Sequence, residues 1–260
     1  MLDLAGKHAL VCGGSKGIGK ATSIELAKRG AHVTILARSV DYILDAIALL
    51  DTSINQVHGF IAADSSDIET LSQKVKVLVS ERPVHILINN SGGPAAGAIL
   101  TADASQFLSA FTSHLIANHT LSSIVVPGMK KAHYGRIVNV ISTSVRIPLK
   151  GLGVSNTTRG AVASWAKTLS NELAPFGITV NNVLPGATST ERLSQIIENK
   201  VQKSNLSTEE VKRQMEEEIP MLRFGKPEEI AAVIAFLASP EASYVTGVSI
   251  PVDGGRTGCI

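Results

Sequence analysis

His8-Ala9-Leu10-Val11-Cys12-Gly13-Gly14-Ser15-Lys16-Gly17-Ile18-Gly19 decides how this chain folds. A short apolar run opens into a turn with glycines at 13, 17 and 19, and an amphipathic run follows. That pattern predicts strand, tight turn, helix. Glycine is needed where the backbone takes positive φ, or where a side chain would hold an anion away from the main chain. The turn then presents free backbone N–H groups and the positive end of a helix. The G-x-x-x-G-x-G spacing leaves a slightly wider loop than G-x-G-x-x-G, and its place after the first strand of an α/β pattern strengthens it as a phosphate cradle.

Outward from this stretch the alternation continues. Strands are predicted over 8–12, 32–36, 57–62, 85–88, 136–141, 178–184 and 249–252, with helices over 21–29, 40–50, 68–80, 104–131, 157–174 and 227–237 between them. The fold class is therefore α/β: a doubly wound parallel sheet of about seven strands with helices on both faces. No linker or repeat divides residues 1–260, so one domain is expected. Residues 187–218, rich in Glu, Lys, Ser and Gln, form a helix-prone insertion after the sixth strand. It is either a mobile cover over the strand ends or a solvated helical hairpin.

Composition narrows the function. The chain has 260 residues, 44% hydrophobic and 18% charged, with a formal net charge of +2, so it can bury a sizeable core and carries no basic surplus. Nucleic-acid and membrane-surface binding lack compositional support. Two cysteines, Cys12 and Cys259, without metal-ligand spacing suit a reducing compartment, no disulfide and no metal. The start of the chain lacks a signal-peptide core and no apolar run reaches membrane-span length, so a cytoplasmic protein is expected.

The ordered motifs resemble the short-chain dehydrogenase/reductase family nearly end to end. They are the glycine turn, Asp64, Asn89-Asn90-Ser91-Gly92, Ser142, Pro185-Gly186 with Thr190, Arg223-Phe224-Gly225-Lys226-Pro227-Glu228-Glu229 and Val252-Asp253-Gly254-Gly255. The tail is most similar to 3-oxoacyl-carrier-protein reductases. The resemblance implies a Rossmann fold, a nicotinamide cofactor at the C-terminal strand edge, a small-molecule substrate, and a homotetramer or homodimer. It implies cofactor contacts from Gly13, Ser15, Lys16, Gly17, Ile18 and Gly19. Asp64 is implied at the adenine, Asn90 and Gly92 along the channel, and Pro185, Gly186, Thr188 and Thr190 at the nicotinamide. The side chain of Asn90 has a second option, satisfying a buried turn.

Charge bears on which cofactor. An NAD-selective site places a carboxylate at the end of the second strand. Here that position is Ala37, followed by Arg38 and Ser39, with Lys16 in the glycine turn. Two cations and a hydroxyl around a 2′-phosphate favour NADP(H) over NAD(H). Lys16 and Arg38 as ordinary surface cations are the alternative.

The catalytic positions depart from the family pattern. Ser142 matches the serine, but Ser155 and Arg159 stand at the Tyr-x-x-x-Lys pair, and His114 stands at the asparagine. Arginine can hold ribose hydroxyls but does not titrate as lysine does. Serine is a poor acid, and a positioned general acid is worth about 10²–10⁴ in rate. His114 with water is the candidate proton source, since imidazole titrates near neutral pH; a packing role is its alternative. Arg146 is a further polar group near the expected mouth. Three functions follow: an NADP(H)-dependent carbonyl reductase with an atypical proton route, a degenerate dinucleotide-binding protein acting as sensor or partner subunit, or a different reaction on the same scaffold, such as elimination or epimerisation, that needs no tyrosine.

Overall fold

The computed structural model describes residues 3–204 and 206–259; of the domain expected over 1–260, residues 1, 2, 205 and 260 lie outside it. Seven strands form one parallel sheet: β1 (His8–Cys12), β2 (His32–Ala37), β3 (Gly59–Ala62), β4 (Ile86–Asn89), β5 (Gly135–Val140), β6 (Ile178–Pro185) and β7 (Ser249–Val252). Their order is β3-β2-β1-β4-β5-β6-β7. The direction of winding reverses between β1 and β4, and a ligand crevice opens outside the carboxyl ends of the strands at such a reversal.

Both faces of the sheet are covered, which explains the continuous apolar runs. Along β1, Ala9 and Val11 join one core while Leu10 and Cys12 join the other. The first core receives Leu26 and Ala27 of α1 (Gly17–Lys28), Ile43 of α2 (Val40–Ile47), and Ile230 and Ile234 of α9 (Pro227–Ala238). The second receives Leu71 and Val75 of α3 (Ile68–Glu81), Leu121 and Met129 of α5 (Ala117–Ala132), and Ala166 and Leu173 of α6 (Gly153–Leu173). Each fully buried leucine or isoleucine contributes roughly 1.5–3 kcal/mol. Among the described residues no helix is long and apolar enough to cross a membrane.

The structure corrects two expectations and gives the insertion one of its two expected forms. The helix predicted over 104–131 is α4 (Ala104–Phe111), a π-helical turn (Thr112–Ile116) and α5 in succession. Hydrophobic periodicity does not register one widened turn inside an otherwise regular pattern. The helix predicted from 157 starts at Gly153, which puts Ser155 in its first turn. The insertion is a hairpin of α7 (Glu191–Gln202) and α8 (Thr208–Glu217), whose sparse apolar residues Leu193, Ile197 and Val211 build a small core with Ile219 and Phe224.

A ladder of buried amides crosses the sheet at one register. Asn89 Nδ2 donates to Asn139 Oδ1 (2.8 Å), Asn139 Nδ2 to Asn182 Oδ1 (2.9 Å), and Asn182 Nδ2 to Ser249 Oγ (3.0 Å). These bonds tie β4, β5, β6 and β7 side by side just below the crevice, so the strand ends that carry the site are held in register.

Candidate active site

The glycine turn is built by contact with Asn90. Gly13 has φ +58°, and a Cβ there would stand 2.8 Å from the Asn90 carbonyl oxygen. A Cβ on Gly19 would stand 2.1 Å from the carbonyl oxygen of Gly13. The Asn90 amide donates to the carbonyls of Cys12 and Gly13, 3.3 Å each. Of its two options the side chain therefore takes the turn, clamping the loop against the end of β4. The N-terminus of α1 then faces the crevice, with no acidic residue in its first turn to compete for an anion. Space left by absent side chains and open N–H groups fits a dinucleotide diphosphate. Gly186, by contrast, is packed on Asp253: a Cβ there would lie 2.7 Å from the Asp253 Cα.

At the end of β2, Arg38 is 80% exposed and lies 3.8 Å from Asp64 Oδ2. Asp64 is held below the ordinary carboxylate range, first by the Ser66 backbone N–H and also by Arg38. Ser39 caps α2 without using its hydroxyl, which stays available beside Arg38. Lys16 differs from the expectation of a second phosphate-facing cation. Its ammonium pairs with Glu191 at 2.9 Å and stacks 3.6 Å from the Tyr42 ring centroid, so it joins α2 to the insertion.

That pairing is one of three contacts that draw the start of α7 over the crevice. Thr190 caps α7 by accepting from the Leu193 N–H, and its Cγ2 lies 3.1 Å from where a Cβ on Gly17 would stand. Arg192 Nη2 donates to the Pro94 carbonyl at 2.8 Å, on the loop that leaves β4. Thr188 is buried, with its hydroxyl on the Gly186 carbonyl and its backbone bridged to Gly225. Glu191, Arg192 and Tyr42 make contacts beside the crevice that the sequence did not single out. Arg192 stands two residues past Thr190, but nothing in its spacing indicates that it reaches Pro94.

The catalytic candidates sit at the ends of β4 and β5 and on the two helices above them. Ser142 follows β5; its Oγ accepts the Ser144 N–H at 3.1 Å, so its own proton is available to another group. Arg159 is 7% exposed and donates Nη1 to the Val140 carbonyl at 3.0 Å. Burial, with Arg192 nearby, lowers its pKa to about 10. Ser155 lies four residues earlier on the same helix face. His114 falls inside the π-helical turn, where the Ala117 N–H reaches back to the Thr112 carbonyl. His114 is 2% exposed, with Nδ1 2.6 Å from Ser91 Oγ. Among the described residues no direct hydrogen bond joins Ser142, Ser155 and His114. None of the three tyrosines replaces the missing one: Tyr134 hydroxyl bonds the Ala238 carbonyl, Tyr244 is fully exposed, and Tyr42 lies under Lys16. Arg146 is exposed just past the turn that Ser142 opens.

Burial first, and Arg159 second, lower the His114 pKa to about 3. The ring is therefore neutral through the physiological range, which corrects the expectation of an imidazole titrating near neutrality. His8 behaves likewise at the opposite end of β1. Burial, Arg82, His85 and His32 lower it, the Pro83 carbonyl opposes them, and the net value is about 4. Both histidines bind protons in the unfolded chain below its pKa of about 6.5 but not in the fold. Their contribution to stability is complete above that pH and is lost as pH falls towards 4. We expect unfolding free energies from denaturant titrations to be flat above pH 7 and to fall between pH 6.5 and 4.5, by roughly 1.4 kcal/mol per pH unit for each histidine. His114→Asn should make this slope shallower; an unchanged slope would place the titration elsewhere.

Comparison with known proteins agrees with this geometry. A family profile described as enoyl-(acyl carrier protein) reductase matches residues 13–257. Cyclohexanol dehydrogenase of Rhodococcus sp. (strain TK6) is 37% identical, covering 98% of each chain. NADPH-dependent reductase BacG of Bacillus subtilis is 33% identical over 96% of this chain and 97% of its own. The structure of L-sorbose reductase from Gluconobacter frateurii, complexed with NADPH and L-sorbose, superposes with a TM-score of 0.93 at 28% identity, covering 100% of this chain and 99% of the other. With the profile spanning nearly the whole chain, and the glycine turn, Asn90 and Thr190 gathered at the switch point, the protein belongs to the short-chain dehydrogenase/reductase family.

Proposed function

We propose that the chain is an NADP(H)-dependent reductase that converts the carbonyl of a small molecule to an alcohol by a proton route that dispenses with tyrosine. The observation that carries this reading is a crevice at the strand ends with the N-terminus of α1 on one side and with Ser142 at the end of β5 and Arg159 of α6. Bound in that crevice, NADPH supplies the hydride. The N–H groups at the start of α1 hold the diphosphate, while Arg38 and Ser39 take the 2′-phosphate that an acid at Ala37 would repel. NADPH is named for BacG and for the L-sorbose reductase complex, which supports the same choice.

Ser142 donates its free proton to the substrate oxygen and so orients the carbonyl. The Arg159 charge, in a poorly solvated setting, holds the ribose hydroxyls and stabilises negative charge developing on that oxygen. The proton that finally resides there comes from water, passed through neutral His114 and Ser91; one ring nitrogen takes up a proton while the other releases one. The assembly as a homodimer or homotetramer belongs to the same proposal, with Leu108 and Ile116 exposed on the outer helices.

Steady-state assays with NADPH and NADH against ketones, acyl thioesters, diketones and quinones test this. Ser142→Ala should lower kcat/KM on the order of 10²-fold. Ala37→Asp with Arg38→Ser should shift preference towards NADH by roughly 10–100-fold, the worth of replacing one charge-assisted hydrogen bond to the 2′-phosphate by a repulsion. Tight NADPH binding without turnover on any substrate would favour the second reading, a sensor or partner subunit, which the absence of a tyrosine at Ser155 motivates.

A further inference from the structure

Two arginines converge on one point of the crevice with no acid between them. The Nη2 atoms of Arg159 and Arg192 each lie 3.8 Å from where a Cβ on Gly93 would stand, so they are within twice that distance of each other. Arg159 is more than nine-tenths buried, and its only protein hydrogen bond among the described residues uses Nη1. Arg192 has the Pro94 carbonyl as its one hydrogen-bond partner among the described residues. Among the described residues neither guanidinium has a carboxylate within ion-pair distance, although seven ion pairs form elsewhere. A buried cation held beside a second cation destabilises the fold unless an anion joins them.

That anion is not the cofactor diphosphate, whose seat is the N-terminus of α1. Arg192 donates instead to Pro94, on the loop leaving β4, and at Gly92 and Gly93 no side chain fills the space beside the two guanidinium groups. Resting on the reductase reading above, we propose that Arg159 and Arg192 together grip a carboxylate of the substrate, which makes Arg192 a specificity-determining residue and the substrate class an oxo acid. A span of no more than twice 3.8 Å between the two Nη2 atoms admits one carboxylate with an oxygen on each. Because Arg192 rides on α7 and Arg159 on α6, the same contact draws the hairpin onto the substrate.

Binding separates this proposal from turnover. The NADP⁺-saturated protein is titrated calorimetrically with cyclohexanecarboxylate and with its neutral counterpart cyclohexanecarboxamide, neither of which can be reduced at a ketone. We expect the carboxylate to bind roughly 10–100-fold tighter, and Arg192→Gln to remove that preference while leaving the NADP⁺ Kd within about twofold. Arg192→Lys, which keeps the charge without the fork, should retain part of the preference. Equal binding of the two probes, or none, overturns the proposal. So does Arg192→Gln weakening NADP⁺ as much as the carboxylate, since the arginine then serves the cofactor. A protein that prefers the carboxylate but reduces nothing keeps the clamp and loses the reductase reading; a working reductase without the preference loses the clamp alone.

Discussion

Gly19→Ala should disable dinucleotide binding and destabilise the fold, while Gly160→Ala, the same chemical change in another helix, should stabilise it. At Gly19 the new methyl would stand 2.1 Å from the Gly13 carbonyl oxygen and 2.8 Å from Asn90 Nδ2. Neither is the end of a flexible side chain free to turn away. Gly13 is the turn itself, and Asn90 is held by two carbonyls. Overpacking of this kind costs about 1–3 kcal/mol. The displaced loop would also move the α1 N–H groups off the diphosphate, and a misplacement of about 1 Å can cost on the order of 10²-fold in rate. Gly160 lies within α6 with nothing within 4 Å of a Cβ, so alanine there gains about 0.5–1 kcal/mol of helix propensity. Thermal melts and NADPH fluorescence titrations check both variants. A Gly19→Ala protein with native affinity would mean that the turn tolerates a shift that the packing forbids.

Arg159→Met should separate stability from activity. Methionine fills a similar volume without a charge to desolvate. Its cost is the Val140 carbonyl left without the Nη1 donor, about 0.5–1.5 kcal/mol for the missing hydrogen bond. Against this, a buried cation lacking a counter-charge carries a penalty of several kcal/mol, which is why the Arg159 pKa falls to about 10. The second effect is larger, so the melting temperature should hold or rise. On the proposed mechanism turnover should fall by about 10²–10³, since Arg159 is the charge assigned to the reacting oxygen. The His114 pKa should also rise, since Arg159 is one of the two causes that lower it, yet stay below its ordinary value because burial is the greater cause. Loss of stability together with activity would show Arg159 to be a structural residue only.

Alternating apolar runs and glycine punctuation were enough to determine, from the sequence by itself, the seven parallel strands, the two helical layers and the crevice at the strand ends. Strand and helix periods are local properties written in neighbouring residues. The identities at Ala37, Ser142, Ser155 and Arg159 were legible for the same reason, each standing at a countable offset from a motif. Only the tertiary structure decided what those side chains do. Lys16 and Arg38 look equivalent in sequence, but Glu191, 175 residues away, claims the first and leaves the second exposed. His114 is an ordinary imidazole in the sequence, and burial beside Arg159 makes it a neutral one. Arg192 carried no signal at all, because its meaning lies in meeting Arg159 and Gly93 across the crevice. Charge state and pairing depend on solvation and on partners distant in the chain, and these exist only once the chain has folded.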